Sequence, residues 1–482
     1  MTTTTQTRRH RRASHFSYSS PPTSAAPSWR TLALLVVAQF MVVLDITIVN
    51  VALPSIGAAL GFARSDLQWV VTAYALCSGG LVLVGGRASD LFGRRRMFLA
   101  GLALFTGASL VSGLAPSSGA LIAARVAQGI GAAAMTPAAL SILTTTYDGA
   151  QRATALSIWG AISSGAVAVG VIAGGALVSL LNWHWVFLIN VPVGLVALGL
   201  SAHLLPTAAP SARARSIDPA GALTAVGGFV AIVYGVSGAA SHGWGSVHTV
   251  AFLGAGVALL AAFAMVERWV SEPLVAPAIW RERALIAGAA TILGISGILV
   301  GTFFLLSLYT QDVLHWSALH TGVSLLPFVG AIAIGVHLTG RLIGRVGSRP
   351  LIMVGMALVG IGAILFSVAP DRASYVADLL PGLVVLGLGM GLAFPATSIT
   401  AMSDIREEVA GLASGITSTA HELGGAAGVA ILAAIAASRS TIAAGNHTAF
   451  AVAAVGGAAL VALAAIAVPS VRPAPGTGAA IH

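Results

Sequence analysis

The chain has 482 residues, of which 57% are hydrophobic and only 8% are charged, and its formal net charge is +9. A soluble domain has roughly a quarter of its residues charged, so this composition excludes a soluble protein and indicates one embedded in a membrane. All 24 basic residues are Arg, whereas the phosphate-binding loop of a conventional ATPase requires a Lys. The chain therefore cannot be its own conventional ATPase.

Residues 1–28 precede the first apolar segment and form a polar tail. They are rich in Ser, Thr and Pro, and four Arg residues cluster between positions 8 and 12. Such a composition predicts a disordered segment. The alternative is a signal peptide, but about 20 polar or small residues separate the Arg cluster from the first apolar segment, which is itself long enough to span a membrane. We therefore expect a cytoplasmic tail that anchors the orientation of the chain.

Apolar segments long enough to cross ~30 Å of hydrocarbon recur along the rest of the chain. The connection between the fifth and sixth segments consists of only three residues, Asn182, Trp183 and His184. The sequence thus predicts an all-α polytopic membrane protein with fourteen transmembrane helices. They are predicted at 31–54, 68–86, 97–115, 119–145, 153–181, 185–205, 219–238, 248–267, 285–309, 321–341, 350–369, 376–402, 409–437 and 447–468.

The positions of the Arg residues test this count. With the N-terminus inside the cell, 20 of the 24 Arg residues fall on the cytoplasmic side, whereas only Arg64, Arg372 and Arg439 fall outside and Arg125 lies within a segment. Cytoplasmic loops of membrane proteins carry such an excess of positive charge. Removing one segment would invert all later loops and destroy this bias. We therefore expect fourteen spans in the inner (plasma) membrane, with both termini in the cytoplasm.

A repeated loop divides the chain into two halves. After the second segment stands Gly86-Arg-Ala-Ser-Asp-Leu-Phe-Gly-Arg-Arg-Arg96, and after the tenth stands Gly340-Arg-Leu-Ile-Gly-Arg-Val-Gly-Ser-Arg349. Two six-helix halves related as parallel repeats are a transporter architecture. The predicted regions are the tail 1–28, an N-terminal half 29–205, an inserted two-helix segment with its linkers 206–284, a C-terminal half 285–468 and a cytoplasmic tail 469–482.

Four stretches of the first half carry a family resemblance. They are the loop Gly86–Arg96, the stretch Leu44–Pro54 with Asp45 and Asn50, the stretch Arg125–Ala133 with Gln128, and the stretch Gly165–Gly175, which leads to Trp183–Pro192. Together with fourteen spans over about residues 30–468, they resemble the major facilitator superfamily and, within it, the 14-helix drug:proton antiporter-2 family. The resemblance implies the major facilitator fold, with two six-helix halves plus an inserted helix pair, and the export of drugs or antibiotics.

The resemblance also assigns roles to the motif residues. The loop is expected to form a cytoplasmic gate from Gly86, Asp90, Gly93, Arg94 and Arg95. Its glycines permit a tight reversal, and Asp90 can accept from helix N-terminal amides or pair with an Arg in only one conformation. The alternative is that the Arg residues are simple topology anchors, as we expect for Arg96.

The fifth segment resembles the antiporter motif of the family through Gly165, Gly170, Gly174 and Gly175. Small residues of this kind let helices approach closely. Two positions depart from the family pattern, since Val171 stands where most members have Pro, and Gly344 stands in the second loop where the first has Asp90. We expect a weaker bend in the fifth helix and a weaker second latch.

Ionised side chains cost roughly 2.5–3.5 kcal/mol at the centre of a membrane helix. Three of them interrupt apolar segments: Asp45, Arg125 and Glu422, the last of which follows His421. A proton-driven exporter needs a carboxyl that alternates between its protonated and ionised forms, and a nearby Arg favours the ionised form. We therefore expect Asp45, Arg125 and Glu422 to couple proton movement. The alternatives are a structural Asp45–Arg125 pair and a local His421–Glu422 hydrogen bond.

The substrate cavity is expected to contain Asn50, Gln128, His421 and Glu422. The sequence has no cluster with zinc-site spacing and no Ser/His/Asp context for hydrolysis. We therefore expect no enzyme activity, no metal and no cofactor, with the proton gradient as the source of energy. The expected partners are a small-molecule substrate, protons and the lipid bilayer, without nucleic acid, and the chain is expected to be a monomer.

These features predict a proton-coupled antiporter that exports drugs, antibiotics or other small lipophilic molecules by alternating access. One alternative is a dedicated single-metabolite transporter, either an exporter or a proton symporter, although the glycine motif argues against import. The other is a non-transporting membrane sensor. A sensor usually carries a soluble domain, and the connections between the predicted spans are too short to contain one.

Overall fold

The computed structural model describes residues 29–63, 65–205, 218–270, 273–275, 279, 281–370, 372–403, 405 and 409–472. The predicted tail 1–28, most of the linker 206–218 and residues 473–482 of the second tail lie outside this part of the chain. Fourteen helices in the described part are long and apolar enough to cross a membrane. They are α1 (Trp29–Leu60), α2 (Trp69–Phe92), α3 (Arg94–Gly113), α4 (Ser118–Thr146), α5 (Gly149–Leu180), α6 (Trp185–Leu204), α7 (Pro219–His242), α8 (Val247–Trp269), α9 (Arg283–Val313), α10 (Ala318–Val346), α11 (Ser348–Ser367), α12 (Tyr375–Met402), α13 (Ala410–Ala437) and α14 (Ile442–Ala467).

Each predicted segment corresponds to one of these helices, so the prediction of an all-α protein with fourteen spans is confirmed. The short connection at 182–184 does separate α5 from α6. Two helices are interrupted, α6 at Ile189 and α10 at Leu325. Pi-helical turns end α9 at Tyr309–Val313 and begin α12 at Tyr375–Leu379.

The repeated loops form the same turn in the two halves. Gly93 alone joins α2 to α3 with φ 96°, and Gly347 alone joins α10 to α11 with φ 84°. In both loops the glycine N–H donates to the carbonyl four residues earlier, Ser89 or Ile343. Only glycine adopts this backbone region without strain. The second half thus keeps the turn of the first even though Gly344 replaces its carboxylate.

Glycines also set the closest approaches between helices. Gly85 of α2 faces the backbone of α4, where a Cβ atom added to this glycine would overlap the carbonyl of Ala133. The neighbouring Gly86, which the motif singles out, has nothing nearer to such an atom than Pro137 Cβ at 3.8 Å. The packing glycine is therefore the residue before the first motif glycine.

We expect Gly85→Ala to destabilise the protein, because overpacking a close contact typically costs about 1–3 kcal/mol. The backbone of α4 cannot move aside as a flexible side chain would. Gly86→Ala is the matched control, and it should leave the thermal midpoint of the detergent-solubilised protein unchanged. Equal midpoints for the two variants would contradict this account of α2–α4 packing.

The two halves touch at the end of the bundle where α1 ends, which we call the second face; the first face is where α1 begins. Between α1 and α9, Ser307 Oγ donates to the Asn50 carbonyl at 2.7 Å. In the next turn Gln311 Nε2 donates to the Val51 carbonyl at 2.9 Å. These bonds hold the second-face ends of α1 and α9 together.

A second contact joins α5 to α10 at the same face. The Leu319 N–H donates to Ser179 Oγ at 3.0 Å, and a Cβ atom on Gly175 would lie 2.6 Å from the Ala318 carbonyl oxygen. Toward the first face α5 is far more open, since Ala155 is the only buried residue among positions 149–163. The halves are thus joined at the second face, whereas α5 is exposed toward the first.

The inserted helices α7 and α8 pack on each other and on both halves. Gly228 of α7 and Gly256 of α8 approach closely. Apolar residues of α7 then form a buried cluster with residues of α2 and α13, including Val233, Leu76 and Leu423. The inserted pair therefore lies along the seam between α2 of the first half and α13 of the second.

Candidate functional site

The predicted charges Asp45 and Arg125 meet as a buried ion pair. Asp45 lies midway along α1 and Arg125 lies two turns into α4. Arg125 Nη1 donates to Asp45 Oδ2 at 2.5 Å, and the two side chains are 1% and 0% exposed, respectively. Two opposite charges thus neutralise each other where neither contacts solvent.

The other carboxylate oxygen of Asp45 is also fully engaged. Asp45 Oδ1 accepts from Gln128 Nε2 at 2.7 Å and from Asn190 Nδ2 at 3.1 Å. Gln128 in turn accepts from Arg125 Nη1 at 2.7 Å and donates to Ser109 Oγ at 2.8 Å. Because every partner of Asp45 donates, the arrangement fits its ionised form.

Arg125 is held by three further interactions that do not involve a carboxylate. Its Nε donates to the Val70 carbonyl at 2.8 Å. Its guanidinium carbon lies 4.4 Å from the centroid of the Tyr74 ring and 5.8 Å from that of Phe187. A cation over an aromatic face is attracted to the ring electrons, so α2 and α6 both help to fix this charge.

This network has two consequences. Removing one partner of a buried ion pair costs about 3–5 kcal/mol, because the other charge is left uncompensated. For the same reason, a proton on Asp45 would weaken its hold on Arg125, Gln128 and Asn190 together. The cluster can therefore act as a two-state element that joins α1, α4 and α6.

The predicted residues Glu422 and His421 lie elsewhere, on α13 at the seam between the halves. Glu422 Oε2 accepts from Ser78 Oγ of α2 at 3.1 Å, whereas His421 Nδ1 lies 2.6 Å from Ser296 Oγ of α9. The His421–Glu422 hydrogen bond, the alternative raised by the sequence, is therefore not formed. Glu422 is only half-buried, which distinguishes it from Asp45.

Asn50 does not join either group. Its side chain donates back to the Ile46 carbonyl at 2.8 Å, and its own carbonyl accepts from Ser307 at the second face. It is 4% exposed. The structure thus places Asn50 in the contact that closes the second face rather than beside Asp45 or Glu422.

Among the described residues of the predicted gate loop, Arg95 bonds to another helix and Asp90 does not. Arg95 Nη2 donates to the Ala202 carbonyl at 2.6 Å, which ties α3 to α6. Asp90 forms neither a hydrogen bond nor an ion pair within the described residues. The latch expected from the sequence, which would be complete in only one conformation, is therefore not formed by Asp90 in the described part of this structure.

Three of the four glycines in the antiporter motif make close helix contacts. A Cβ atom on Gly170 would lie 2.7 Å from Thr47 Cβ of α1, and one on Gly174 would lie 3.0 Å from the Ile48 carbonyl oxygen. Gly175 faces α10, as described above. Gly165 has open space around it, so its place in the motif does not arise from packing in this conformation.

Sequence reasoning overlooked several uncharged partners of the charged residues. Asn190 was noted only as part of a motif, and neither Ser109 and Tyr74 beside the Asp45–Arg125 pair nor Ser78 beside Glu422 was singled out. These side chains are uncharged and common in apolar helices, so their cost in the membrane gives no signal. Only the position of Asn190 in a family motif could have indicated its role.

Comparisons with known proteins agree with this fold. The model of the Major Facilitator Superfamily matches residues 35–429. The solved structure of a POT family transporter in complex with a thioalcohol-conjugated peptide is similar with a TM-score of 0.66, covering 91% of this chain and 95% of that one. At 16% identity, this likeness shows the fold alone.

Relatives found by sequence have a higher identity to this chain. The puromycin resistance protein pur8 of Streptomyces alboniger is 42% identical over 84% of this chain and 81% of its own length. The cephamycin export protein CmcT of Amycolatopsis lactamdurans is 38% identical over 83% of each chain. The multidrug resistance protein Stp of Mycobacterium tuberculosis is 35% identical over 84% of this chain and 75% of its own.

The family and these relatives are transport and resistance proteins, as expected for a chain that is not an enzyme. The relatives and the fourteen spans also confirm the resemblance to 14-helix drug exporters. The chain belongs to the major facilitator superfamily.

Proposed function

We propose that this chain is a proton-coupled efflux transporter that exports antibiotics or other small lipophilic molecules by alternating access. The observation that carries the proposal is the fully buried Asp45–Arg125 pair, placed in a bundle that is closed on the second face. The relatives named for puromycin resistance, cephamycin export and multidrug resistance support export rather than import.

The orientation follows from the Arg distribution. By the order of the spans, 20 of the 24 Arg residues are assigned to the side where α1 begins, so we place the first face in the cytoplasm and both termini inside the cell. The chain lies in the inner (plasma) membrane as a monomer, with the halves 29–205 and 285–468 joined by the inserted segment 206–284. The structure is then the cytoplasm-open state, in which substrate enters from the cytoplasm or the inner leaflet.

In this state Asp45 is ionised and Glu422 is accessible. Substrate binds in the cavity beside Glu422, and the halves then close on the cytoplasmic face and open on the second face. A proton from outside reaches Asp45 and weakens its bonds to Arg125, Gln128 and Asn190. Those side chains rearrange, substrate leaves, and the proton passes to the cytoplasm when the carrier returns. No cofactor takes part, because the proton gradient supplies the energy.

Export is tested in a pump-deficient bacterial host that expresses the chain. We expect the minimum inhibitory concentration of puromycin to rise, and the rise to disappear when a proton uncoupler is added. An empty vector and the Asp45→Asn variant serve as controls. Resistance that persists in the presence of the uncoupler would contradict proton coupling.

A disulfide across the second face tests alternating access. Cys77 is the only cysteine, so a Cys77→Ser background allows Ser179→Cys and Leu319→Cys to pair across the α5–α10 contact. Oxidation should hold the second face closed and reduce export to the level of the empty vector, and a reductant should restore it. Each single-cysteine variant is the control. Full export by the oxidised pair would show that this contact need not open.

A further inference from the structure

A small apolar pocket lies between the inserted helix pair and the neighbouring helices of the two halves. Its volume is about 150 Å³. It is lined by α2, α7, α8, α9 and α13 and by residues of the linker after α8, and among the described residues of this lining Thr419 has the only polar side chain. Apolar cavities of about this volume hold a single benzene ring and exclude water.

The linker wall of this pocket is fixed by a buried carboxylate. Glu267 near the end of α8 is 3% exposed. It accepts from the Leu274 N–H at 3.2 Å and from the Val275 N–H at 2.8 Å. Leu274 and Val275 both line the pocket, so its wall is held in place by hydrogen bonds as well as by apolar packing.

The hydroxyl of Thr419 is available to a ligand in the pocket. Thr419 Oγ1 is buried and has no hydrogen-bond partner in the described part of the chain. A Thr in a helix usually bonds the carbonyl three or four residues earlier, and a buried hydroxyl without a partner carries a desolvation cost. A group in the pocket with an aromatic face or an oxygen atom would remove that cost.

The pocket adjoins Glu422. Thr419 and Leu423 of α13 line it, and Glu422 lies between them in the sequence. Residues three apart on a helix have Cβ atoms about 5–6 Å apart. On α2, two adjacent residues contact Glu422 and the pocket separately: Gly79 packs on Glu422, and Gly80 lines the pocket. Glu422 does not itself line the pocket, but it is a neighbour of Thr419 and Leu423, which do, so its side chain lies near a cavity sized for one ring.

We propose that this pocket binds the aromatic ring of an amphipathic cation whose ammonium group pairs with Glu422. The inference rests on the proposed export function and adds to it a substrate class and a place of entry beneath the inserted pair. A cation arriving from the bilayer would bury its ring among α2, α7 and α13. Its charge would then reach the seam between α2 and α13, where Glu422 lies.

Two quaternary ammonium ions that differ only in the ring provide the test. Dodecylbenzyldimethylammonium carries a phenyl group, whereas dodecyltrimethylammonium does not. Ala225→Phe fills the pocket from α7, and Leu223→Phe, at a position that is 74% exposed on the same helix, is the matched control. Efflux of each cation is measured in the pump-deficient host, with expression and the thermal midpoint as checks on folding.

We expect Ala225→Phe to reduce efflux of the benzyl cation about tenfold, the scale of burying one ring, and to spare the trimethyl cation. Ile286→Ala enlarges the pocket from α9 and should shift preference toward the naphthylmethyl analogue, which keeps the test valid if the first variant misfolds. If Ala225→Phe reduces efflux of both cations equally, the pocket holds an acyl chain and not the ring, and the proposed ring site is wrong. If neither variant changes the preference between the cations, the proposal is also contradicted. Export of neither cation by the wild-type chain, together with no rise in puromycin resistance, would overturn the proposed function instead.

Discussion

An Asp45→Asn variant is expected to insert and fold with a lowered thermal midpoint, because Arg125 loses its counter-charge, and to lose proton-driven export, with resistance falling to that of the empty vector. Asn has the shape of Asp and can still accept from Arg125 through its amide oxygen. It cannot bind or release a proton, so it resembles the permanently protonated form. Its amide NH₂ would also face the donors of Gln128 and Asn190. The measurements are susceptibility, uncoupler-sensitive efflux and the thermal midpoint of the purified protein.

A double variant separates this coupling role from a purely structural ion pair. Asp45→Asn combined with Arg125→Gln removes both charges, so no uncompensated charge remains in the bundle. We expect the double variant to recover stability lost by Arg125→Gln alone, but not proton-driven export. If removing both charges restores uncoupler-sensitive efflux, the pair only holds α1 to α4. Asp45→Glu, which retains a titratable carboxyl, should keep part of the activity.

A Glu422→Gln variant should lose export of cationic substrates while retaining export of neutral ones. Gln can still accept from Ser78, so the contact between α2 and α13 is kept. At an effective dielectric constant of 20, two unit charges 4 Å apart interact by about 4 kcal/mol, so we expect a loss of at least about tenfold for cations. Ser78→Ala, which removes the neutral donor but keeps the charge, is the matched control.

The measurement for Glu422→Gln is efflux of one cationic and one neutral fluorescent substrate by the same cells. A preserved rate for the neutral compound shows that the carrier still cycles. An equal loss of both would mean that Glu422 is required for the conformational cycle or for proton movement, and would contradict its role as the cation partner.

The sequence best predicts those features for which the membrane imposes a large energetic cost. Spans of about 20 apolar residues are recognisable because hydrocarbon tolerates few alternatives to a helix. Asp45 and Arg125 could be paired from the sequence alone, because a buried charge requires a partner. Asn190, Tyr74 and Ser109 carry no such cost, so their convergence on this pair depends on how α1, α2, α3, α4 and α6 pack.

The glycines show the same limit more clearly. The motif begins at Gly86, yet the close contact with α4 is made by Gly85. Gly165 belongs to the antiporter motif but has open space where a side chain would lie, whereas Gly175 packs closely on the opposite half. Spacing along one helix states which residues share a face, but the neighbour and its distance are properties of the tertiary fold. For the same reason, the sequence could not show that His421 bonds to α9 whereas Glu422 bonds to α2.

Proton movement in inverted membrane vesicles tests the central claim most directly, that Asp45 couples substrate export to a proton. The vesicles contain a pH-sensitive dye in an acidic lumen, and puromycin is added to the exposed cytoplasmic face. We predict that puromycin accelerates alkalinisation of the lumen in wild-type vesicles and that vesicles with Asp45→Asn show only the background rate. Puromycin uptake without a change in lumenal pH, or an identical response from the variant, would contradict the account.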